Sequence, residues 1–414
     1  MTPPGRIRRR AFLQSCAAAG ATVAAFPLVK GIGAMNTQAH VVVVGAGAFG
    51  GWTALELRRR GARVTLLDAW GPGNARASSG GETRVIRGTY GPRATYTRLT
   101  ARALALWKEH ERRWRRSLYY PIGVLWLVGA DDAYEQAALP ILRETGLEFE
   151  ELAAADVRRL FPQINAEGVR WAIREPDAGY LTARLACEAV LEGFLADGGE
   201  YRQRAVRPGP VAAGAMRDVA LSDGATLVAD AYVFACGPWL GRIFPDVIGD
   251  RVSATRQEVF FFGPPAGDDR FTEEALPVWA DHGGGGAPFM YGIPGNRWRG
   301  FKIADDTRGP PFDPTGGERV VTPAGLARAR AYLAFRFPPL KDAPLLEARV
   351  CQYEQSPDEG FIIDRHPAAA NVWLVGGGSG HGFKHGPAVG ELVAGLVLGD
   401  GAPAPEFRLS RFPA

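Results

Sequence analysis

The chain has 414 residues, enough for two sizeable hydrophobic cores, and its 46% apolar and 10% aromatic content is that of an ordinary globular protein. A formal charge of only +4, much of it in the first ten residues, gives nucleic-acid binding no whole-chain support. Four cysteines, Cys16, Cys187, Cys236 and Cys351, show neither the close pairing of a disulfide framework nor metal-ligand spacing. No nucleic-acid partner and no metal site are expected.

Residues 1–39 read as a targeting segment. Arg8-Arg9-Arg10-Ala11-Phe12-Leu13-Gln14 matches a twin-arginine signal, with Arg9 and Arg10 as the pair. The alanine-rich stretch that follows, Cys16 to Val29, is interrupted by Gly20 and Pro27. It is too short and too weakly apolar for a transmembrane helix, so no stable membrane insertion is expected after export. The partner implied is the twin-arginine export machinery, and the location periplasmic or exported; a disordered basic tail is the alternative.

Val41-Val42-Val43-Val44 is a β-branched run without alternation, the pattern of a parallel strand buried on both faces. It runs into Gly45-Ala46-Gly47-Ala48-Phe49-Gly50, the G-x-G-x-x-G pattern of a dinucleotide site. Gly45 permits the tight turn, Gly47 lets the backbone approach a pyrophosphate, and Gly50 allows close helix–strand packing. A helix to about Arg60 and a strand Val64–Leu67 follow, ending in Asp68, twenty-three residues after Gly45. An acid there suits a ribose 2′-hydroxyl, favouring FAD or NAD over NADP. Such a cofactor is acquired in the cytoplasm, and the twin-arginine route carries folded proteins, so leader and motif agree. The basic run Arg112, Arg113, Arg115, Arg116 reads as a solvated helix face. Two later strands, Tyr232–Ala235 and Val372–Val375, look like members of the same sheet. The second enters a glycine-rich turn in which Gly378, Gly380 and Gly382 could approach the cofactor from its other side.

Four separated motifs then carry a resemblance: Gly81-Glu82-Thr83-Arg84-Val85-Ile86-Arg87, Gly300-Phe301-Lys302, Val350-Cys351-Gln352-Tyr353, and Ser379-Gly380-His381-Gly382-Phe383-Lys384. Tyr291 lies eleven residues before Lys302, and Lys384 thirty-three after Cys351. With these, the chain from about residue 41 to about 395 resembles the monomeric sarcosine oxidase family, within the D-amino-acid-oxidase-like (glycine oxidase-like) flavoproteins. The resemblance implies an α/β, Rossmann-type (glutathione-reductase-like) FAD domain and a discontinuous α+β substrate domain built on an antiparallel sheet. Residues 40–118, 182–247 and 349–400 would form the FAD domain, 119–181 and 248–348 the substrate domain, and 401–414 a C-terminal tail. The tetraglycine Gly283–Gly286 would be a loop hinge or a plain surface loop.

The resemblance also implies roles. Cys351 would link FAD through an 8α-S-cysteinyl thioether, the alternative being a small buried residue; Cys187 and Cys236 would be core. Lys302 would activate oxygen, Arg87 and Lys384 would hold the substrate carboxylate, and Arg84 would lie against the flavin. Tyr291 and Tyr353 would line the pocket, with His381 close to the flavin or structural in its glycine turn. Two departures stand out: Asp306 replaces a pocket histidine, and Ser79-Gly80 replaces histidines before Gly81. The expected activity is oxidation of an N-methyl, N-alkyl or cyclic amino acid to an imine, with O2 reduced to hydrogen peroxide. Alternatives are a flavin dehydrogenase that passes electrons to a quinone or carrier protein, a non-catalytic amino-acid-binding flavoprotein, and an NAD-dependent dehydrogenase.

Overall fold

The valine run forms the first strand, β1 (His40–Val44), buried along its whole length. It pairs in parallel with β2 (Arg63–Asp68) on one side and with the Ala231–Phe234 strand on the other. The full sheet has six strands, in the order Ile362–His366, Ala369–Gly376, Ala231–Phe234, β1, β2, Glu200–Gln203, with only the first of these antiparallel to its neighbour. One face takes Val41 and Val43 against Trp52 and Leu55 of helix α1 (Ala48–Arg59) and Val393 of the Gly386–Leu398 helix. The other takes Val42, Val44, Tyr232 and Phe234 against Leu240 and Phe244. Burial on both faces is why these strands read as continuous apolar runs. The computed structural model describes residues 39–282, 288–296 and 299–413. The expected leader, except Ala39, and the tetraglycine therefore lie outside the described residues.

A second sheet of eight strands runs in the order Leu345–Gln355, Ser253–Phe262, Phe301–Asp305, Met290–Ile293, Val278–Asp281, Val124–Val128, Trp171–Glu175, Glu150–Ala153. Its neighbours are antiparallel except Val278–Asp281 and Val124–Val128, which are parallel where the two sequence segments meet. Alternation along these strands separates two faces. Phe260, Phe262, Phe301 and Ile303 pack with Ala329, Tyr332 and Leu333 of the Pro323–Arg336 helix. Their neighbours Phe261, Lys302 and Ala304 face a cavity. The helix starts on Thr322, whose hydroxyl accepts the Gly325 N–H at 3.0 Å, with Pro323 at the first position.

The boundary expected at residue 349 falls inside the Leu345–Gln355 strand, which belongs wholly to the eight-stranded sheet. Reading where dinucleotide-type elements resume does not reveal this, because the strand's partner, Ser253–Phe262, lies far away in the chain. A third, small sheet joins β3 (Thr83–Ile86), Gly179–Thr182 and Tyr119–Tyr120. The basic run ends the Ala94–Trp114 helix as a solvated face, with Arg113 on Asp197 and Arg116 on Glu192, both at 2.6 Å. Residues beyond 400 dock through buried Phe407 and a bond from the Leu409 N–H to Asp364 at 2.7 Å.

Candidate active site

Where β1 meets α1, Gly45 has φ +107°, and a Cβ there would stand 2.3 Å from the Ala235 carbonyl. Gly50 packs equally close, a Cβ meeting the Gly45 carbonyl at 1.9 Å. The turn thus tolerates no side chain at either end, and the helix N-terminus lies open beside Gly47. Ser79 enters there, its hydroxyl accepting the Ala48 N–H at 3.2 Å. Asp68 ends β2 and accepts the N–H groups of Ala46, Trp70 and Gly71, each at 2.8 Å. Three of about four acceptor positions on the carboxylate are thereby used, leaving about one for a ligand hydroxyl. Burial raises its pKa, against those three bonds.

These groups line a cavity of about 270 Å³ together with Arg84, Gly378, Gly380 and Gly382. Gly50 lies beneath the turn and shapes it. Arg84 is held by the carbonyls of Thr83 (2.8 Å), Ser78 (2.9 Å) and Gly80, and also donates to Cys351 Sγ at 3.7 Å. Glu354 supports the 378–382 turn: one oxygen accepts the Gly378 N–H at 2.9 Å, and the other is buried without a partner among the described residues. Burial pushes this carboxyl up to about 7. An exposed helix N-terminus, glycine walls from two strand ends, an acid at the end of β2 and an orphaned polar atom together fit a dinucleotide.

A second cavity of about 790 Å³ shares Arg84, Gly380, Phe383 and Tyr353 with the first. Into it the eight-stranded sheet sends Cys351 and Tyr353 from one strand, Lys302 from another and Tyr291 from a third, with Asp306 just beyond Asp305. Arg87, His381 and Lys384 enter from the opposite side, so every residue predicted for catalysis meets in one space. Lys302 is 4% exposed, and its ammonium lies 3.2 Å from the Thr83 carbonyl and 3.3 Å from its hydroxyl. Burial, and then Arg84, push it down to about 7. Lys384 is equally buried and donates to Tyr90 OH and the His381 carbonyl, both at 2.8 Å. Burial, and then Arg87, hold its pKa well below that of a free lysine. The Arg87 guanidinium donates to the Thr89 carbonyl and lies 4.2 Å from the Tyr90 ring and 4.9 Å from that of Trp126. Among the described residues, neither Arg87 nor Lys384 has a carboxylate at ion-pair distance; Glu175 and Asp306 act on both from further away.

Both ring nitrogens of His381 are engaged, by the Glu359 carbonyl (2.9 Å) and Tyr90 OH (3.3 Å), and its ring stacks on Phe361. Cys187 is buried, and burial pushes its thiol up to about 12, whereas Cys236, expected in the core, is only half-buried and lines the first cavity. Two important residues carried no sequence signal. Glu175 is 3% exposed and accepts the Gly88 N–H (2.6 Å), Thr89 Oγ1 (2.8 Å) and Trp126 Nε1 (3.0 Å), fixing the loop that aims Arg87. Tyr90 bridges Lys384 to His385 Nε2 at 2.7 Å. Only an unusual charge at the end of a buried strand could have pointed to Glu175.

A family model described as FAD dependent oxidoreductase matches residues 40–396. The monomeric sarcosine oxidase of Streptomyces avermitilis is 32% identical, over 88% of this chain and 94% of its own length. The N-methyl-L-tryptophan oxidase of Salmonella typhi is 29% identical, over 90% and 98%. In fold, the chain superposes on L-proline dehydrogenase from P. horikoshii with a TM-score of 0.78 at 21% identity, covering 90% of this chain and 97% of that one. The dinucleotide turn, the paired cavities and the length of these matches agree: the chain belongs to the FAD dependent oxidoreductase family and, within it, to the monomeric sarcosine oxidase group.

Proposed function

We propose that this protein is an FAD-dependent oxidase that acts on the CH–NH group of N-methyl, N-alkyl or cyclic amino acids. The products are an imine, hydrolysed to aldehyde and amine when acyclic, and hydrogen peroxide from O2. The observation that carries the reading is that buried Lys384 and cavity-lining Arg87 have, among the described residues, no carboxylate at ion-pair distance in a cavity next to the dinucleotide site. Burying a cation unpaired is costly, so an incoming carboxylate completes the site.

FAD, when bound, supplies the acceptor for the hydride equivalent that leaves the carbon beside nitrogen. Gly45, Gly47, Asp68 and the 378–382 turn would hold it. Arg87 offers parallel N–H donors to the substrate carboxylate, and Lys384 adds a third on exchanging its Tyr90 contact. Such charge-assisted bonds contribute about 1.5–3 kcal/mol each. Trp126, Tyr134, Phe289 and Tyr291 wall the cavity with aromatic surface that excludes water. Lys302 places a cation where negative charge builds as oxygen is reduced. Cys351, which lines the cavity and whose sulfur accepts a bond from the Arg84 guanidinium at 3.7 Å, is the attachment point for a covalent cofactor link. The Arg9-Arg10 leader supports passage of the folded holoprotein through the twin-arginine machinery to the periplasm.

Acid precipitation of the purified yellow protein tests the link: colour stays in the pellet for the native chain and moves to the supernatant for Cys351→Ala. Lys302→Met should slow peroxide formation at least ~10²-fold while leaving anaerobic reduction by substrate nearly intact. Unchanged oxygen turnover in that variant would instead favour a dehydrogenase that passes electrons to a quinone or carrier protein. Replacing Arg9 and Arg10 by lysine should keep the protein out of the periplasmic fraction.

A further inference from the structure

We propose that Asp306 reads the charge on the substrate nitrogen and takes up its proton, so that the amino acid enters as a zwitterion. Its carboxylate meets Arg87 and Lys384, and its ammonium meets Asp306. This rests on the amino-acid reading of the cavity and adds the form of substrate the site selects.

The placement follows from the strand. Lys302 and Ala304 fall on the cavity side while Phe301 and Ile303 turn to the core, and Asp306, the first residue beyond the strand end at Asp305, lines the same cavity. The Asp306 backbone N–H is fixed on the Phe289 carbonyl at 3.0 Å. One carboxylate oxygen accepts Tyr353 OH at 2.7 Å, and that hydroxyl lies 3.4 Å from Tyr291 OH. Among the described residues, Asp306 forms no ion pair. Its sequence neighbour Asp305 reaches Arg328 at 3.3 Å near the surface, and buried Asp281 holds Arg336 at 2.7 Å. Glu175, likewise enclosed, is matched by several N–H and O–H donors. Asp306 has a single phenol and faces open cavity volume.

The charged and titratable groups around it come from four directions. Tyr353 and Tyr291 lie on the sheet, Arg87 on the loop after β3, Lys384 before the Gly386–Leu398 helix, and Glu359 at the rim. Arg87 and Lys384 act on it without touching it, which suits one small zwitterion laid between two charged ends. Burial pushes the Asp306 carboxyl up to about 6, a value at which it remains ionised at neutral pH yet is a better proton acceptor than a free carboxylate.

The chemistry requires such a group. A protonated amine has no lone pair to support loss of hydride from the adjacent carbon. At neutral pH nearly every free amino acid carries that proton. Transfer to Asp306 breaks one N–H bond and forms one O–H bond, leaving a neutral amine and a neutral carboxyl, with no other reactant needed. Asp306 is then both a specificity residue and the base that readies the substrate.

The test uses flavin-loaded protein and two isosteric acids that cannot be oxidised at a nitrogen lone pair. These are trimethylammonioacetate, with a fixed cation, and 3,3-dimethylbutanoate, its uncharged carbon counterpart. Binding is read from the perturbed flavin spectrum in the native protein and in Asp306→Asn. The native protein should prefer the cationic acid ~10-fold or more, and Asp306→Asn should lose most of that preference, as expected for removal of an opposing charge. An equal ratio in both proteins overturns the proposal. If neither acid binds either protein, the amino-acid reading itself fails, which is a separate result. The proton role has its own readout, the rate of anaerobic flavin reduction by an N-methyl amino acid against pH. In Asp306→Asn the rate should climb ~10-fold per pH unit toward the amine's own pKa, about 10, whereas the native rate should level off above about pH 7. A native profile as steep as that of Asp306→Asn overturns the assignment of Asp306 as the base.

Discussion

Glu354 sits beneath the 378–382 glycine turn with one oxygen on the Gly378 amide and the other, among the described residues, unpartnered. Its carboxyl rises from 4.5 to about 7 because burial disfavours the charge. A raised carboxyl stabilises the fold in its protonated form, so the benefit is complete below the unfolded pKa and is lost as pH climbs through about 7. The shift corresponds to ~3 kcal/mol. Denaturant midpoints of the cofactor-free protein should therefore fall between about pH 5 and about pH 8, and Glu354→Gln should flatten that part of the profile. Equal slopes in the two proteins would show that the carboxyl titrates normally. Glu175 acts through others: its four bonds hold Gly88, Thr89 and Trp126 around Arg87. Glu175→Gln should cost ~1–3 kcal/mol of stability, and it should raise KM more than it lowers kcat if, as proposed, Arg87 holds the substrate carboxylate. Motif residues such as Arg87, Lys302, Cys351 and Lys384 were legible because their neighbours in sequence are distinctive. Glu175 and Glu354 were not, because their meaning comes from groups far along the chain: Glu175 bonds Gly88, eighty-seven residues away.

Among the elements, β1, α1 and β2 could be read almost to their ends, since a doubly buried strand, a glycine turn and an acid occur in uninterrupted order. The side of the Phe301–Asp305 strand that faces the cavity emerged only from the structure, which sends Lys302 and Ala304 to it and Phe301 and Ile303 to the core. Pairing between distant strands was less visible. The Leu345–Gln355 strand carries Cys351, yet it belongs to the sheet above the cofactor turn, and the parallel pair Val124–Val128 and Val278–Asp281 leaves no local mark. The Pro323–Arg336 helix is tied to that sheet by a buried ion pair, Arg336 on Asp281 at 2.7 Å, with Tyr332 OH on the same carboxylate oxygen at 2.9 Å. Removing one charge strands the other in the core. Asp281→Asn should accordingly lower unfolding free energy by ~3–5 kcal/mol, far more than loss of the exposed Arg98–Glu144 pair, whose removal should change it by less than ~1 kcal/mol. Equilibrium denaturation of the two variants side by side decides between these outcomes.

At the scale of the whole molecule, a parallel sheet supplies the dinucleotide turn and a largely antiparallel sheet supplies the wall of the substrate cavity. The chain crosses between them repeatedly, and this interleaving brings Arg84 from one segment against Cys351 from another, 267 positions apart. It also places Arg87 and Lys384 in the same cavity as Lys302 and Asp306. Composition and charge gave nucleic-acid binding and a disulfide scaffold no support, but the walls of the cavity are assembled from at least five separate segments. The central claim, that this cavity presents a carboxylate-bearing amine to a bound flavin, has one direct measurement. Purified, flavin-loaded protein is mixed anaerobically with a panel of N-methyl and cyclic amino acids while its visible absorbance is followed. At least one member should bleach the flavin band, and Arg87→Met should slow the bleaching by ~10² or more at low substrate. A folded, flavin-loaded protein that none of the panel bleaches, or an Arg87→Met variant that reacts as fast as the native chain, would contradict that claim.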